Sequence, residues 1–354
     1  MIALFPFITA FIATAIATPI SLVFLKRIGL FDDPKVHKHP AIIHKKPIPR
    51  GGGIPLVLGI LLSSIIFLPF TKITVVLYIV LMLALIIGIL DDKFDISPYL
   101  RFILNILTAA IVVASGITIP FITNPFDGIL QLDTVFFFSQ FGFFNFRFSD
   151  VITIIWIVWV MNMLNWSKGV DGQMPGIVAI SAIIIGIVSM RYPLTEQNTL
   201  IATTLSFAIA GSALGFLLYN FYPAKIFPGF GATAVYLLLA TVSILSSAKL
   251  ATAILVMGVP MIDGIFTIIR RILTGRSPFW HDKKHLHHIL LTLGMGQRRI
   301  AFFYWTISAI LGTLALALSS KAKLFAIIMV VIIVGGTILF LHLFLNRFYD
   351  KKNN

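Results

Sequence analysis

Two adjacent carboxylates, Asp91 and Asp92, follow a stretch of fifteen uncharged residues, 73–87. Neighbouring carboxylates at the end of an apolar segment repel each other, so they need solvent, a shared proton or a cation. A divalent metal together with phosphate oxygens would supply that cation. The alternative is that the pair is solvated and only marks where a membrane helix meets water, and both interpretations stay open.

A second polar group, "MNMLNWSKGVDGQMPG", occupies residues 161–176. Asn162 and Asn165 are three residues apart and therefore share one face of a helix, while Asp171 and Gly172 form a turn signal. The amides could hydrogen-bond to a neighbouring helix. Together with the aspartate and the following glycines and proline, they also suit a pocket for a phosphate or a sugar.

The segment "HDKKHLHHILLTLG", 281–294, combines three histidines, His285, His287 and His288, with two lysines. Helical spacing predicts that Lys284 shares a face with His287 and His288. A zinc site is one interpretation, but it would normally add cysteine or a carboxylate at fixed spacing. Positively charged donors for a diphosphate are favoured instead.

Basic residues also crowd the segment 32–53, in which His44, Lys46 and Arg50 precede three glycines. Glycines allow the backbone to approach a ligand closely, although a loop that is basic only because it faces the cytosol is an equal alternative. Two further polar residues, Asn220 and Asp263, stand near the ends of apolar segments. An ionisable group at such a depth indicates function.

The elements that must position these residues are hydrophobic helices. The chain of 354 residues is 58% hydrophobic and 11% charged, whereas soluble domains carry roughly 25% charged residues. We therefore predict an all-α, polytopic membrane protein with a single domain, 1–354, and about eleven transmembrane helices. The predicted segments are 2–25, 54–71, 73–90, 102–121, 150–165, 174–190, 199–220, 231–247, 249–269, 299–318 and 323–346.

The distribution of basic residues predicts the orientation, because positively charged loops stay in the cytosol. With the N-terminus outside and the C-terminus in the cytosol, all but six of the 27 lysines and arginines fall on the inner side. The net charge of +14 then reflects topology and anionic lipid, and nucleic acid is not an expected partner. The polar groups above also fall on the inner side, whereas the outer segment 122–149 suits a short hairpin on the membrane.

Several classes are excluded or disfavoured. The absence of cysteine excludes disulfides, iron–sulfur clusters and thiol chemistry. The first segment lacks a basic region and a cleavage site, so we expect a retained helix and not a signal peptide. No internal repeat and no charge pairs within the apolar segments are apparent, which disfavours a transporter.

In order and spacing, five segments resemble the polyprenyl-phosphate N-acetylhexosamine-1-phosphate transferases of glycosyltransferase family 4. That family combines H-x-x-P-x-P-R-x-G-G, an Asp-Asp pair, N-x-x-N-x-x-D-G-x-D-G, N-F-x-P-A-x-I-F-x-G-D and a histidine loop. The matching segments here are 44–53, 91–92, 162–172, 220–229 and 285–288.

The resemblance implies an eleven-helix enzyme of the cytoplasmic membrane whose site faces the cytosol. It would move a sugar-1-phosphate, expected to be N-acetylhexosamine-1-phosphate, from a UDP-sugar to a polyprenyl phosphate such as undecaprenyl phosphate, releasing UMP with Mg²⁺ or Mn²⁺. This would be the first lipid-linked step of a cell-envelope glycan. A homodimer is left open.

The resemblance also implies roles for individual residues. Asp91 or Asp92 would deprotonate or orient the acceptor phosphate, and Asp171 with Asp92 would hold the metal. The remaining expected contacts are to the donor, from Asn162, Asn165, Asn220, His44, Lys46, Arg50, His285, His287 and His288.

Two positions depart from the family pattern. Lys168 stands where the family has the first aspartate of its asparagine-rich segment, and Phe230 stands where it has the aspartate of Gly-Asp. Lys168 could contact the diphosphate directly as a catalytic residue, with the metal held by the remaining aspartates, or the protein could use a different donor. The alternative is a catalytically inactive homologue that binds lipid phosphate or a nucleotide sugar.

Overall fold

The structure is a computed structural model that describes residues 1–33, 44, 46–124, 126, 128–136, 146–245, 250–280 and 282–353, with side chains described as far as residue 344. The predicted basic segment therefore lies partly outside the described residues, as does His281. The helices are α1 (Leu4–Arg27), α2 (Gly53–Phe67), α3 (Lys72–Phe94), α4 (Pro98–Ala114), α5 (Phe148–Trp166), α6 (Gln173–Ser189), α7 (Gln197–Asn220), α8 (Thr233–Leu245), α9 (Leu250–Val256), α10 (Gly258–Leu273), α11 (Leu286–Thr292), α12 (Gln297–Ala317) and α13 (Ser320–Asn353). The strands are β1 (Phe31–Asp32), β2 (Ile48–Pro49), β3 (Phe121–Thr123) and β4 (Ile129–Gln131).

Helical structure coincides with each of the eleven predicted hydrophobic segments. Within the described residues, six helices are long and apolar enough to cross a membrane: α1, α3, α5, α7, α12 and α13. A seventh candidate is the pair α9 and α10, and the shorter helices α2, α4, α6 and α8 are also apolar. The prediction of a mostly helical, multi-pass membrane protein is confirmed, whereas the total of eleven spans and the orientation stay predictions.

The surface of α1 shows what faces the lipid. Ile8, Ile12, Ile16 and Ile20 recur every fourth residue and are all exposed, which leaves an apolar stripe suited to lipid tails. By contrast, all thirteen residues of α8 are buried. Helix α8 is therefore at the centre of the bundle, packed against α3, α5 and α7.

Small residues bring α1 and α7 into close contact. A Cβ atom at Gly211 or Gly215 of α7 would collide with the carbonyl oxygens of Phe7 and Phe11 on α1. The Ser212 hydroxyl, one residue away, accepts a hydrogen bond from Thr14 (2.9 Å). Close backbone approach and hydroxyl contacts replace the hydrophobic driving force, which is lacking between helices in lipid.

At one end of the bundle, every second helix begins and the helices between them end. Helices α2, α4, α6 and α8 begin there, and α3, α5 and α7 end there, because each helix runs antiparallel to the one before it. The loop between α7 and α8 closes this end: the amides of Gly52 and Gly53 donate to the carbonyls of Phe227 (2.8 Å) and Pro228 (2.9 Å). The β1–β2 ladder lies beside this loop, and residues Arg50 and Phe227 form a parallel bridge.

The predicted hairpin in the outer segment is present. Strand β3 pairs antiparallel with β4, with Phe121 opposite Gln131. The hairpin follows α4 and precedes α5, so it lies at the end of these two helices away from the Asp91–Asp92 pair.

Some predicted segments differ from the observed helices. The predicted segment 249–269 is not one straight helix, because α9 and α10 meet at an angle of 81° next to Gly258. Helix α4 begins at Pro98, four residues before the predicted start. Ser97 caps it by accepting a hydrogen bond from the Leu100 amide, and proline is well suited to the first helical position.

Candidate active site

A cavity of about 390 Å³ opens among these helix ends. It is lined by the loop before α2, the start of α4, the end of α5, the α7–α8 loop and the segment before α11. Predicted site residues that line it are His44, Arg50, Asn162, Asn165, Lys168, His285, His287 and His288. Three of the polar segments singled out in the sequence, 32–53, 161–176 and 281–294, thus contribute residues to one cavity, and both asparagines of α5 line it.

The Asp91–Asp92 pair lies inside the last turn of α3 and is neutralised by arginines. Arg50 Nε is 2.7 Å from Asp92 Oδ1, and Arg101 Nη1 is 3.2 Å from Asp91 Oδ2. The Phe230 amide also donates to Asp92 Oδ1 (2.8 Å). Arg50 and Arg101 line the cavity but the aspartates do not, so the guanidinium groups form its charged wall.

Lys168 adds a third cation to this wall. Its Nζ donates a hydrogen bond to the Gly229 carbonyl (3.0 Å), in the residue directly before Phe230. Burial, together with the nearby charge of Arg50, lowers the pKa of Lys168 to about 8. The ammonium form therefore still predominates at neutral pH.

Asp171 and Asn220 lie behind the cavity and fix two loops to each other. Asp171 Oδ2 accepts a hydrogen bond from the Ala224 amide (2.9 Å), and Asn220 Oδ1 accepts one from the Gly172 amide (3.1 Å). Asn220 Nδ2 also donates to the Ile226 carbonyl (2.8 Å). Burial raises the pKa of Asp171. These contacts are positioning contacts, and direct contact of Asp171 or Asn220 with a substrate stays a prediction.

The histidine segment is organised by an aspartate on α10. Asp263 Oδ2 is 2.8 Å from His285 Nδ1, and Asp263 Oδ1 accepts a hydrogen bond from the Leu286 amide (2.9 Å) at the start of α11. The rings of His285 and His287 are stacked with centroids 5.6 Å apart. Because α11 begins at Leu286, the predicted helical face shared by Lys284 and the histidines is wrong, and Lys284 is exposed.

The charge state of the histidines differs from the expectation that they are cations. Burial and the neighbouring imidazoles hold the pKa of His287 well below its usual value, and burial with His285 lowers the pKa of His288 to about 4. Both rings are therefore neutral at pH 7. They can still donate an N–H to a phosphate, but the positively charged groups that line the cavity are Arg50, Arg101, Lys168 and Arg271.

Other predicted residues differ in their access to the cavity. Asn165 lines it, and its Oδ1 is buried without a hydrogen-bond partner. His44 lies with its ring 4.9 Å from that of Phe227 and its Nε2 3.1 Å from the Asp32 carbonyl. Lys46 is exposed and does not line the cavity, so its contact with a donor stays a prediction.

Sequence reasoning missed Arg101 and the pair formed by Arg271 and Asp282. Arg271 Nε is 3.0 Å from Asp282 Oδ2, and both residues line the cavity. The available signal for Arg101 was a basic residue ten positions after Asp91 at the start of an apolar segment. Its partner could not be read from that spacing, because the turn between α3 and α4 decides which side chains meet.

The metal expected from the family resemblance has few free ligands here. Among the described residues, no group of three histidine or carboxylate side chains is placed to hold a metal ion. Asp91 Oδ1 and Asp92 Oδ2 are buried without hydrogen-bond partners, but the other oxygen of each aspartate is paired with an arginine. Since Mg²⁺ takes six oxygen ligands in near-octahedral geometry, these residues alone do not fit a Mg²⁺ site.

Comparison with known proteins shows the family to which the chain belongs. The profile of glycosyl transferase family 4 matches residues 74–247. A relative from Bacillus subtilis (strain 168), "Probable undecaprenyl-phosphate N-acetylglucosaminyl 1-phosphate transferase", is 30% identical over 93% of this chain and 88% of its own length. The chain belongs to the polyprenyl-phosphate N-acetylglucosamine-1-phosphate transferase family.

A second member of the family, "Decaprenyl-phosphate N-acetylglucosaminephosphotransferase" from Mycobacterium leprae (strain TN), is 28% identical over 84% of this chain and 79% of its own length. The predicted membership is thus confirmed, and so is the prediction of an enzyme of the glycosyl-1-phosphate transferase type. The residues matched by the family profile include the Asp91–Asp92 pair, Lys168 and Phe230. The two positions that depart from the family pattern, Lys168 and Phe230, therefore lie within the matched region.

Proposed function

We propose that this protein transfers N-acetylglucosamine-1-phosphate from UDP-N-acetylglucosamine to polyprenyl phosphate at the cytosolic face of the cytoplasmic membrane. An oxygen of the lipid phosphate attacks the sugar-linked phosphorus, a new P–O–P bond forms, and the bond to the uridine-bearing phosphate breaks. UMP leaves with that bond's electron pair. The product is a lipid-linked sugar diphosphate, the first lipid-linked intermediate of an envelope glycan.

The observation that carries this proposal is the charged wall of the cavity. Arg50, Arg101 and Lys168 meet within one cavity beside the Asp91–Asp92 pair. Phosphoryl transfer depends mainly on positioning and on neutralising the charge of the phosphates. The guanidinium and ammonium groups of these three residues line the cavity and can donate to the anionic phosphates of both substrates, next to the carboxylates Asp32, Asp95 and Asp282 that line it as well.

Neutral groups of the cavity would orient the donor. Asn165 Oδ1 lacks a partner and can accept a hydrogen bond from an amide N–H, such as that of uracil or of the N-acetyl group. Imidazole N–H groups of His287 and His288 can donate to phosphate oxygens without adding charge. Asp91 or Asp92 as the group that deprotonates or orients the acceptor phosphate stays a prediction.

The test is release of UMP by the purified protein in detergent with undecaprenyl phosphate and UDP-N-acetylglucosamine. UMP and lipid-linked product should appear in equal amounts. Asp92→Asn should lower turnover by about 10²-fold or more, because it removes a carboxylate proposed to deprotonate or orient the acceptor phosphate. Glu196→Gln, in an exposed site before α7, serves as the matched control and should retain wild-type turnover.

The alternative function is that of a catalytically inactive homologue that binds lipid phosphate or a nucleotide sugar. One observation supports it: Lys168 and Phe230 stand where the family pattern has aspartates. It predicts that UDP-N-acetylglucosamine or lipid phosphate binds without any UMP release. Equal turnover of wild type and Asp92→Asn would contradict the role assigned to the aspartate pair.

A further inference from the structure

The two residues that depart from the family pattern lie next to each other in space. Lys168 is on the loop after α5, and Phe230 is 62 positions later on the loop before α8. Lys168 Nζ is 3.0 Å from the carbonyl oxygen of Gly229, which directly precedes Phe230. The two departures from the family pattern therefore meet at one place in the cavity wall.

The Phe230 side chain offers no ligand atom to a metal, and its backbone helps to hold Asp92. Its backbone amide donates to Asp92 Oδ1 (2.8 Å), and the Arg101 guanidinium lies 5.4 Å from the centroid of its ring. A metal could bind Asp92 Oδ1 only if the side chain moved. That movement would also break the 2.7 Å contact between Asp92 Oδ1 and Arg50 Nε. Separating a buried ion pair of this kind is strongly unfavourable.

Lys168 supplies a positive group to the cavity that is not part of an arginine–aspartate pair. Arg50 and Arg101 are paired with Asp92 and Asp91, whereas Lys168 Nζ contacts a backbone carbonyl. Its hydrogen bond to Gly229 uses only one of its three donors, which leaves two N–H groups for phosphate oxygens. Lysine binds phosphate as a point charge in other phosphoryl-transfer sites.

We infer that the Lys168 ammonium replaces the divalent metal at the donor diphosphate, so that this protein transfers the sugar phosphate without Mg²⁺ or Mn²⁺. This inference rests on the proposed function. Lys168 contacts the phosphate oxygens of the donor and stabilises the charge that develops on the departing UMP phosphate. Arg50 and Arg101 contribute the remaining positive charge.

The experiment compares turnover with excess EDTA and with Mg²⁺, using purified protein, undecaprenyl phosphate and UDP-N-acetylglucosamine. Wild type should keep at least about half of its turnover in EDTA, whereas Lys168→Met should lose about 10²-fold in both conditions, as expected for one removed transition-state donor. Lys225→Met is the matched control, because Lys225 is exposed on a neighbouring loop. It should behave as wild type.

The double variant Lys168→Asp with Phe230→Asp tests the converse. It should transfer only when a divalent metal is added, and it should bind Mn²⁺ in electron paramagnetic resonance titrations in which wild type binds none. Calorimetry of UDP-N-acetylglucosamine binding in EDTA provides a readout independent of turnover. Lys168→Met should weaken that binding about tenfold or more.

The outcomes separate the inference from the function on which it rests. Wild-type transfer that stops in EDTA and returns with Mg²⁺ would overturn the inference and leave the proposed function intact. Absence of UMP release under every condition would reject the proposed function, and the inference with it. Normal turnover of Lys168→Met in EDTA would also overturn the inference.

Discussion

The charge on Lys168 can be removed within an accessible pH range. Burial and Arg50 lower the pKa of Lys168 to about 8, so its positive charge is present below that pH and is lost as the pH rises through it. The charged groups facing it are Arg50, Arg101, Asp91 and Asp92, whose residue types ordinarily titrate far from pH 8.

Donor binding should therefore weaken between about pH 7 and about pH 9 in wild type. In Lys168→Arg it should stay nearly constant, because a guanidinium keeps its charge. Calorimetric titration with UDP-N-acetylglucosamine in EDTA checks this. The same pH dependence in both proteins would show that another group titrates.

Asp263 is predicted to act through His285. Its two oxygens contact His285 Nδ1 and the Leu286 amide, so it sets both the orientation of the ring and the start of α11. Asp263→Asn keeps the size but can accept through only one oxygen, and the lost buried hydrogen bond costs about 1–3 kcal/mol.

We expect Asp263→Asn to lower kcat by about 10-fold to 100-fold while KM for the donor changes little. Asp263→Glu should recover part of the loss, since it restores the charge. A merely structural role would instead lower thermal stability and leave kcat of the folded fraction unchanged.

At the residue scale, the sequence indicated which side chains are chemically unusual but not which ones meet. Asp92 was visible as half of a carboxylate pair, and Arg50 as part of a basic segment. Their 2.7 Å contact depends on the α7–α8 loop, which hydrogen-bonds to residues 51–53 and places Arg50 above α3. The neutral state of His287 and His288 depends on burial and was equally invisible in the sequence.

Among the helices, α3 packs closely against the α7–α8 loop near the cavity. A Cβ atom at Gly88 of α3 would collide with the backbone of Gly231, and one at Gly53 of α2 would collide with the same residue. Backbone atoms cannot move aside as a flexible side chain can. The absence of side chains at these three positions is what lets the loop approach Asp92.

Gly88→Ala should therefore destabilise the protein by about 3 kcal/mol through overpacking and should lower turnover by separating Asp92 from Phe230. Thermal unfolding followed by tryptophan fluorescence, with five tryptophans in the chain, measures the first effect. Gly336→Ala in α13 is the control: no atom lies within 4 Å of its Cβ position, and alanine favours a helix by about 1 kcal/mol. Equal loss in both variants would contradict the packing argument.

Helices were predictable because hydrophobic length is a local property. Each apolar segment contains helical residues, whereas the 81° angle between α9 and α10 was not predicted. Gly258 and Pro260 were visible there, but proline within a segment only permits a bend. Its size and direction depend on packing of α10 against α5 and α13, which no local pattern contains.

For the whole molecule, the clustering of reactive groups at one end of the bundle follows from antiparallel helices. Between Asp92, at the end of α3, and Asn165, at the end of α5, the chain runs the length of the bundle twice, along α4 and α5. It does so twice more, along α6 and α7, before it reaches Asn220. Successive crossings return the chain to the same end, so four distant segments can form one cavity. In the sequence, this clustering was suggested by carboxylates, amides, imidazoles and cations at the predicted inner ends of the apolar segments, and the side of the membrane on which the cavity opens remains a prediction.

That side can be determined with single cysteines, because the chain has none of its own. Glu196 before α7 and Lys225 after α7 are both exposed and lie at opposite ends of this helix. If the cavity faces the cytosol, a membrane-impermeant maleimide should label Glu196→Cys in intact cells, whereas Lys225→Cys should be labelled only after permeabilisation. The reverse pattern would invert the predicted orientation and require a nucleotide-sugar donor outside the cytosol. Labelling of both variants in intact cells would mean that α7 does not cross the membrane, although it is one of the six helices long enough to do so.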